Sequence, residues 1–106
     1  MSIALRNITD PGHPKSKMMD LEKAAELFWS ISNPIRLGAL LRLMEREWSV
    51  NELATDLNIS QSALSQHLSK LRQSDVVRAR RNRQTIFYRC CDPLVMHLLA
   101  EVGLSR

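Results

Sequence analysis

The basic side chains of this chain are concentrated between residues 60 and 90. That segment holds seven of the 15 Lys and Arg residues against one acidic residue, which gives it a net charge of +6, whereas the remainder holds eight basic and ten acidic residues. The seven are Lys70, Arg72, Arg78, Arg80, Arg81, Arg83 and Arg89. Because neutralised phosphates release condensed counterions, charge segregated in this way predicts a surface that meets a nucleic acid.

A face of amide and hydroxyl side chains precedes these arginines. Leu64, Leu68 and Leu71 recur at the spacing i, i+4, i+7, which predicts a helix that buries one side. Most side chains on the other side both donate and accept hydrogen bonds, as base edges do. We predict DNA contacts for Gln61, Ser62, Ser65, Gln66, Ser69 and Lys70. The alternative is a solvated helix face rich in Ser and Gln.

Position along this helix separates its polar side chains further. Gln61 and Ser62 lie in the first turn, from which a recognition helix reaches base edges in the major groove. His67 lies beside the leucines, so we expect it to pack against them and not to contact DNA.

After Gln73 the period of the apolar residues changes from that of a helix to that of a strand. Alternating Val and Ala, then a run of β-formers over residues 85–89, predict a hairpin with a short polar tip. The arginines that we expect to clamp phosphates or enter a minor groove are Arg78, Arg80, Arg81 and Arg83. Alternatively, these arginines only solvate one face of the strands.

Capping residues mark where the helices that position these side chains begin. The apolar spacing from Met18 predicts a first helix, and Asn-Pro at residues 33–34 starts a second that ends near Glu47. The second helix should bury Ile35, Leu37, Leu40, Leu41 and Met44. A capping box at residues 49–52 starts a short third helix, and Asp-Pro at residues 92–93 opens the last.

The order of these elements predicts the fold. Four helices, a hairpin and a last helix (α-α-α-α-β-β-α) make a mainly α chain with a small β-hairpin, which is a winged helix-turn-helix with an extra helix at each end. We assign residues 18–106 to this domain and residues 1–17, which have two prolines and no apolar period, to a mobile N-terminal arm.

The first and last helices carry more apolar surface than a small winged helix needs, which predicts a homodimer. The residues expected at its interface are Leu21, Phe28, Leu94, Val95, Leu98, Leu99 and Val102. The alternative is a monomer that folds these helices onto its own core.

Composition excludes several classes of protein. No apolar run approaches the roughly 20 residues of a membrane span, and the first residues lack a signal-peptide pattern, so we expect a cytoplasmic protein that does not bind a membrane. Adjacent Cys90 and Cys91 would make a strained disulfide. No triad, Gly-rich phosphate loop or paired-carboxylate cleft points to an enzyme.

Four segments together resemble the ArsR/SmtB family of winged-helix repressors, and in particular its NolR/HlyU-type branch. They are the helix start at residues 31–36, the helix-turn-helix entry at 49–54, the recognition helix at 59–72 and the wing at 80–88. The resemblance covers about three quarters of the chain. It implies a cytoplasmic homodimer that binds an imperfect inverted repeat of double-stranded DNA and represses transcription.

Many members of the family respond to a ligand, and here the chain departs from the known sensors. Residues 53–57 lack the cysteines of a metal site in the third helix, and the last helix offers only Asp92, His97 and Glu101. We therefore expect no metal and no cofactor. Cys90 and Cys91 form a possible thiol switch if one is exposed, against the alternative of ordinary residues at a strand end. The effector, if there is one, stays unidentified.

The main interpretation is a sequence-specific DNA-binding repressor. The rival is a winged-helix module that binds a protein or RNA partner through the same face. A monomer with no preference for duplex DNA would favour the rival.

Overall fold

Five helices and three short strands build the chain in the computed structural model, which describes residues 20–104. The elements are α1 (Leu21–Ile31), α2 (Pro34–Glu45), β1 (Trp48–Ser49), α3 (Val50–Leu57), α4 (Gln61–Gln73), β2 (Val77–Asn82), β3 (Thr85–Cys90) and α5 (Pro93–Glu101). The predicted winged helix-turn-helix is confirmed. The arm predicted for residues 1–17 lies outside the described residues.

Side-chain caps fix most helix starts at the predicted positions. The Asn33 side chain accepts hydrogen bonds from the Ile35 and Arg36 amides at 2.8 and 3.1 Å, which satisfies two donors that have no partner within the helix. Two boundaries differ from the prediction. Helix α1 begins at Leu21 rather than Met18, behind the N-cap Asp20, and α2 ends at Glu45 because the next residue is already extended.

A third strand, which the sequence analysis did not predict, completes the sheet. The antiparallel order is β1-β3-β2, with Trp48 opposite Tyr88 and Ser49 opposite Phe87. A strand of two residues is too short to show an alternating pattern of apolar and polar residues in the sequence. The Trp48 indole donates to the Arg42 carbonyl at 3.0 Å and so joins this strand to α2.

The core lies where α2, α3 and α4 meet the inner face of the sheet. Strand alternation puts Val77, Tyr88 and Cys90 inward while Arg78, Arg80 and Arg89 face solvent. The largest fully buried side chains are Leu40, Leu43, Leu53, Leu64, Leu68, Leu71, Val76 and Val95. No helix within residues 20–104 is long and apolar enough to span a bilayer.

Candidate nucleic-acid interface

Helix α4 is held at its start by a tight turn and along its length by leucines. Asn58 closes α3 in the left-handed conformation, at φ 57°, and the Ser60 hydroxyl then accepts from the Ala63 amide at 3.0 Å. Leu64, Leu68 and Leu71 are fully buried, as their spacing predicted. The polar side of the helix must therefore face outward.

The predicted contact residues of α4 fall into two groups. Five of them are exposed on one side of the helix: Gln61, Ser62, Ser65, Gln66 and Ser69. Lys70 is half-buried, and its ammonium lies 4.7 Å from the centroid of the Trp29 ring on α1. Lys70 also lines an open groove of about 530 Å³, which lies between α1 and the end of α4.

Gln61 is joined to a residue that the sequence analysis did not single out. Its side-chain Nε2 donates to Oδ1 of Asn51, in the first turn of α3, at 2.9 Å. The spacing of these two residues in the sequence does not predict the hydrogen bond, because the bond depends on the angle between the two helices. The bond holds the first side chain of α4 against α3.

His67 packs midway along the same helix, as predicted, and faces a buried arginine. Arg36 on α2 donates from Nε to the Ser30 carbonyl at 2.6 Å and from an Nη to the Trp29 carbonyl at 3.3 Å, while its other Nη lies 3.3 Å from Nδ1 of His67. The ring must be neutral for Nδ1 to accept this hydrogen bond. Burial, with repulsion from Arg36 and Lys70, lowers the pKa of His67 below its usual value.

The tip of the hairpin carries two of the predicted arginines in the open. Arg83 adopts a left-handed conformation, at φ 60°, in the two-residue turn between β2 and β3. Arg81 and Arg83 are both exposed, and neither forms an ion pair with another residue in the described range 20–104. Their guanidinium groups are free to meet an anion.

Arg80, by contrast, already has an anionic partner. Its Nε and one Nη donate to the two carboxylate oxygens of Glu47 at 2.8 and 2.6 Å, and its guanidinium lies 4.6 Å from the centre of the Phe87 ring. The hydrogen bond from Arg80 is the main reason that the pKa of Glu47 lies below its usual value. The structure thus places this predicted DNA contact in an internal ion pair between the wing and the segment before β1.

Arg78 lies directly opposite Arg89 in the register of β2 and β3. Both are exposed, and like charges at directly opposed positions destabilise a sheet. This pair sits near the base of the hairpin, away from the tip.

The apolar residues predicted for the dimer interface do not all share one surface. Phe28, Leu94 and Val102 are 54%, 50% and 61% exposed. Leu21 is also exposed and Leu98 is half-buried, whereas Val95 and Leu99 are 0% and 2% exposed because they fill the protomer's own core. The exposed residues lie on α1 and near α5, where the prediction placed the interface.

The two cysteines differ in access. Cys90 is buried in the core at the end of β3, and burial raises the pKa of its thiol. Cys91 is half-buried, with its sulfur 3.9 Å from the Val76 carbonyl. The buried thiol is not a reactive thiolate at neutral pH, so any thiol chemistry would have to start at Cys91.

The acidic and histidine residues of α5 are spread out. The Asp92 carboxylate caps the helix by accepting from the Leu94 amide at 2.9 Å, and His97 lies 3.9 Å from Glu101 on the exposed side. No cluster of three or more potential metal ligands is found in the part of the chain described here.

Comparisons with known sequences identify related regulatory proteins. Residues 33–79 match the family described as "Bacterial regulatory protein, arsR family". The nodulation protein NolR of Rhizobium meliloti is 44% identical over 90 residues, covering 85% of this chain and 74% of the relative. A biofilm growth-associated repressor of Xylella fastidiosa is 36% identical over 99 residues, covering 90% of this chain and 87% of the relative.

Solved structures show the same fold. The crystal structure of NolR from Sinorhizobium fredii has a TM-score of 0.76 at 40% identity, covering 89% of this chain and 93% of that one. The homodimeric winged helix-turn-helix DNA-binding domain of a possible ArsR-family regulator from Mycobacterium bovis has a TM-score of 0.71 at 29% identity, with coverage of 77% and 76%.

The contact between His67 and Arg36 predicts a loss of stability in mild acid. The unfolded chain binds a proton on this ring below about pH 6.5, whereas the folded chain resists it, so the free energy of unfolding falls as the pH drops below that value. Urea denaturation from about pH 7.5 to about pH 5.5 measures this. His67→Gln, whose amide oxygen can still accept from Arg36, should show a weaker decline.

His97→Gln is the matched control, because His97 is exposed and its ring lies against Glu101 instead of Arg36. The decline in stability should be larger in this variant than in His67→Gln. Equal declines for the unchanged chain and the His67 variant would contradict the assignment.

Proposed function

The chain belongs to the ArsR family of bacterial regulatory proteins, and on that premise we propose that it is a homodimeric repressor that binds an imperfect inverted repeat in double-stranded DNA. It is a transcriptional regulator with a winged-helix DNA-binding domain, and not an enzyme. The observation that carries the proposal is the exposed polar face of α4, backed by three buried leucines and followed by a wing with free arginines.

In the proposed complex, α4 lies in the major groove. Its first-turn residues Gln61 and Ser62 meet base edges, with Ser65 and Gln66 one turn further on. Ser69 lies further along the same exposed face. Lys70 contributes less than its charge suggests, since its ammonium lies over the Trp29 ring.

The wing supplies the contacts that do not depend on sequence. Arg81 and Arg83 at the tip clamp phosphates or enter a minor groove, because a guanidinium fork suits both. Arg78 takes part from the base of the wing. Arg80 gains little from a phosphate, because the phosphate must first replace the carboxylate of Glu47.

A two-fold dimer completes the proposed DNA-binding form of the protein. Pairing α1 and α5 of two protomers would cover Leu21, Phe28, Leu94, Leu98 and Val102 and would place two α4 helices about one turn of DNA apart. The homodimeric state of the similar domain from Mycobacterium bovis supports a dimer. Operator DNA as the target places the protein in the cytoplasm.

Binding to DNA that depends on sequence is the test of the proposal. Duplexes selected from a random pool should bind more tightly than random duplex at every salt concentration, while log K for both falls linearly with log salt. Competition binding at two or more salt concentrations measures this. A random duplex that competes equally at all of them would reject the proposal, and a monomer that prefers RNA or a protein would favour a partner-binding module.

Arg81 and Arg80 form a matched pair for testing the wing. Arg81→Ala should weaken binding to every sequence and flatten the slope of log K against log salt by about 1.8 for the dimer, because each of the two protomers loses one phosphate contact worth about 0.9. Arg80→Ala should change the slope less, because its charge is already paired with Glu47. Titrations over a salt series give both slopes, and an equal change in the two variants would contradict the assignment.

The exposed apolar face of α1 predicts that the chain forms a dimer. Phe28→Asp puts a charge into the proposed apolar contact and should convert the dimer into a monomer in sedimentation or light scattering. Thr55→Asp is the control, because Thr55 is exposed on α3, whose main contacts are with α2, α4 and the sheet. If the unchanged chain is already a monomer at micromolar concentration, the dimer is wrong.

A further inference from the structure

The side-chain contact between α3 and the start of α4 limits what Gln61 can read. Asn51 Oδ1 accepts one hydrogen of the Gln61 amide nitrogen, at an N···O distance of 2.9 Å. An amide nitrogen carries two hydrogens. Gln61 therefore keeps one N–H donor and its Oε1 acceptor for a ligand.

A donor next to an acceptor matches one base in the major groove. Adenine presents the N7 acceptor beside the N6 amino donor, and glutamine binds both at once. Guanine presents two acceptors, N7 and O6, so it would leave Oε1 of Gln61 facing another acceptor. With Asn51 in place, the amide that faces the groove is complementary to adenine.

Asn51 is itself held by the cap of its helix. The Ser49 hydroxyl accepts from the Glu52 amide, and the Glu52 carboxylate accepts from the Ser49 amide, both at 3.1 Å. Ser49 also belongs to β1 and pairs with Phe87 of the wing. The backbone of the first turn of α3 is therefore fixed to the sheet, and the Asn51 side chain extends from this fixed backbone to Gln61.

We propose that Asn51 is a positioning residue that orients the Gln61 amide to read adenine at one position of each operator half-site. The inference rests on the proposed function and adds a specificity determinant to it. Without Asn51, the terminal torsion of Gln61 is free and two-fold, so donor and acceptor can exchange places. The amide then also loses rotational entropy when it binds a base, which weakens the discrimination.

Two substitutions of Asn51 separate acceptance of the hydrogen bond from the shape of the side chain. Asn51→Leu is close in size and cannot accept, so the preference for adenine should fall toward that of Gln61→Ala. Asn51→Asp can only accept, so it should keep the preference, although its charge weakens binding to all duplexes. Thr55→Val is the control, because the Thr55 hydroxyl donates to the Asn51 carbonyl one turn away and not to the Asn51 side chain.

The experiment begins with sequences selected from a random duplex pool by the unchanged chain. Competition binding then compares the four bases at every position for each variant. The unchanged chain, Asn51→Asp and Thr55→Val should prefer adenine at one position per half-site by at least about fivefold, whereas the preference should be reduced in Asn51→Leu and absent in Gln61→Ala. The double variant, which combines Asn51→Leu with Gln61→Ala, should lose no more of the preference for adenine than Gln61→Ala alone, because the two residues act as one unit.

Several results would overturn the inference while leaving the proposed function intact. These are a preference kept by Asn51→Leu, a preference lost by Asn51→Asp, and a Gln61-dependent base other than adenine. If no duplex is selected at all, the proposed function fails together with the inference. Circular dichroism checks the fold of each variant, and Asn51→Ala, whose side chain also cannot accept, takes the place of Asn51→Leu if that variant does not fold.

Discussion

The burial of three leucines along one side of α4 is the constraint on which the proposed interface depends. Leu64, Leu68 and Leu71 are each fully excluded from solvent. Burying a leucine side chain is worth about 1.5–3 kcal/mol, so the three together approach the whole stability of a small domain, about 5–15 kcal/mol. Helix α4 cannot rotate about its axis without exposing them. The outward direction of its Gln and Ser side chains is therefore set by the core.

A second constraint joins α4 to α1, which is one of the two helices of the proposed dimer interface. Arg36 is buried, and within residues 20–104 it forms no ion pair with a carboxylate. Its charge is met by the Trp29 and Ser30 carbonyls at the end of α1, where the helix dipole is negative, and by the ring of His67. One guanidinium thus ties the end of α1 to α2 and to α4. A shift of α1 at a dimer interface would act on the α4 helix through this contact.

Local patterns predicted the elements, and tertiary contacts decided the rest. The change of period after Gln73 gave the wing, and the leucine spacing gave the outward face of α4. The last helix is apolar on several sides, so its sequence could not show that Val95 would face the core and Leu94 the solvent. In α2 the buried stripe runs through Arg36, Ala39, Leu40 and Leu43. Of the positions predicted for that helix, only Leu40 is fully buried, because the core-facing side is the one that carries Arg36, and an arginine among leucines does not indicate a buried face in the sequence.

The arginines of the wing show why a charge count along the chain overstates the charge that DNA meets. The net charge of +6 over residues 60–90 includes Arg80, yet its counter-charge, Glu47, lies outside that segment and reaches the wing only in the folded chain. A phosphate at Arg80 must replace a bidentate carboxylate, so part of the gain is cancelled. Arg81 and Arg83 have no such competitor among the described residues, and Arg78 already faces Arg89. The bond from Arg80 to Glu47, just before β1, instead orients the hairpin, so one arginine of the wing positions the tip while its neighbours are left to bind.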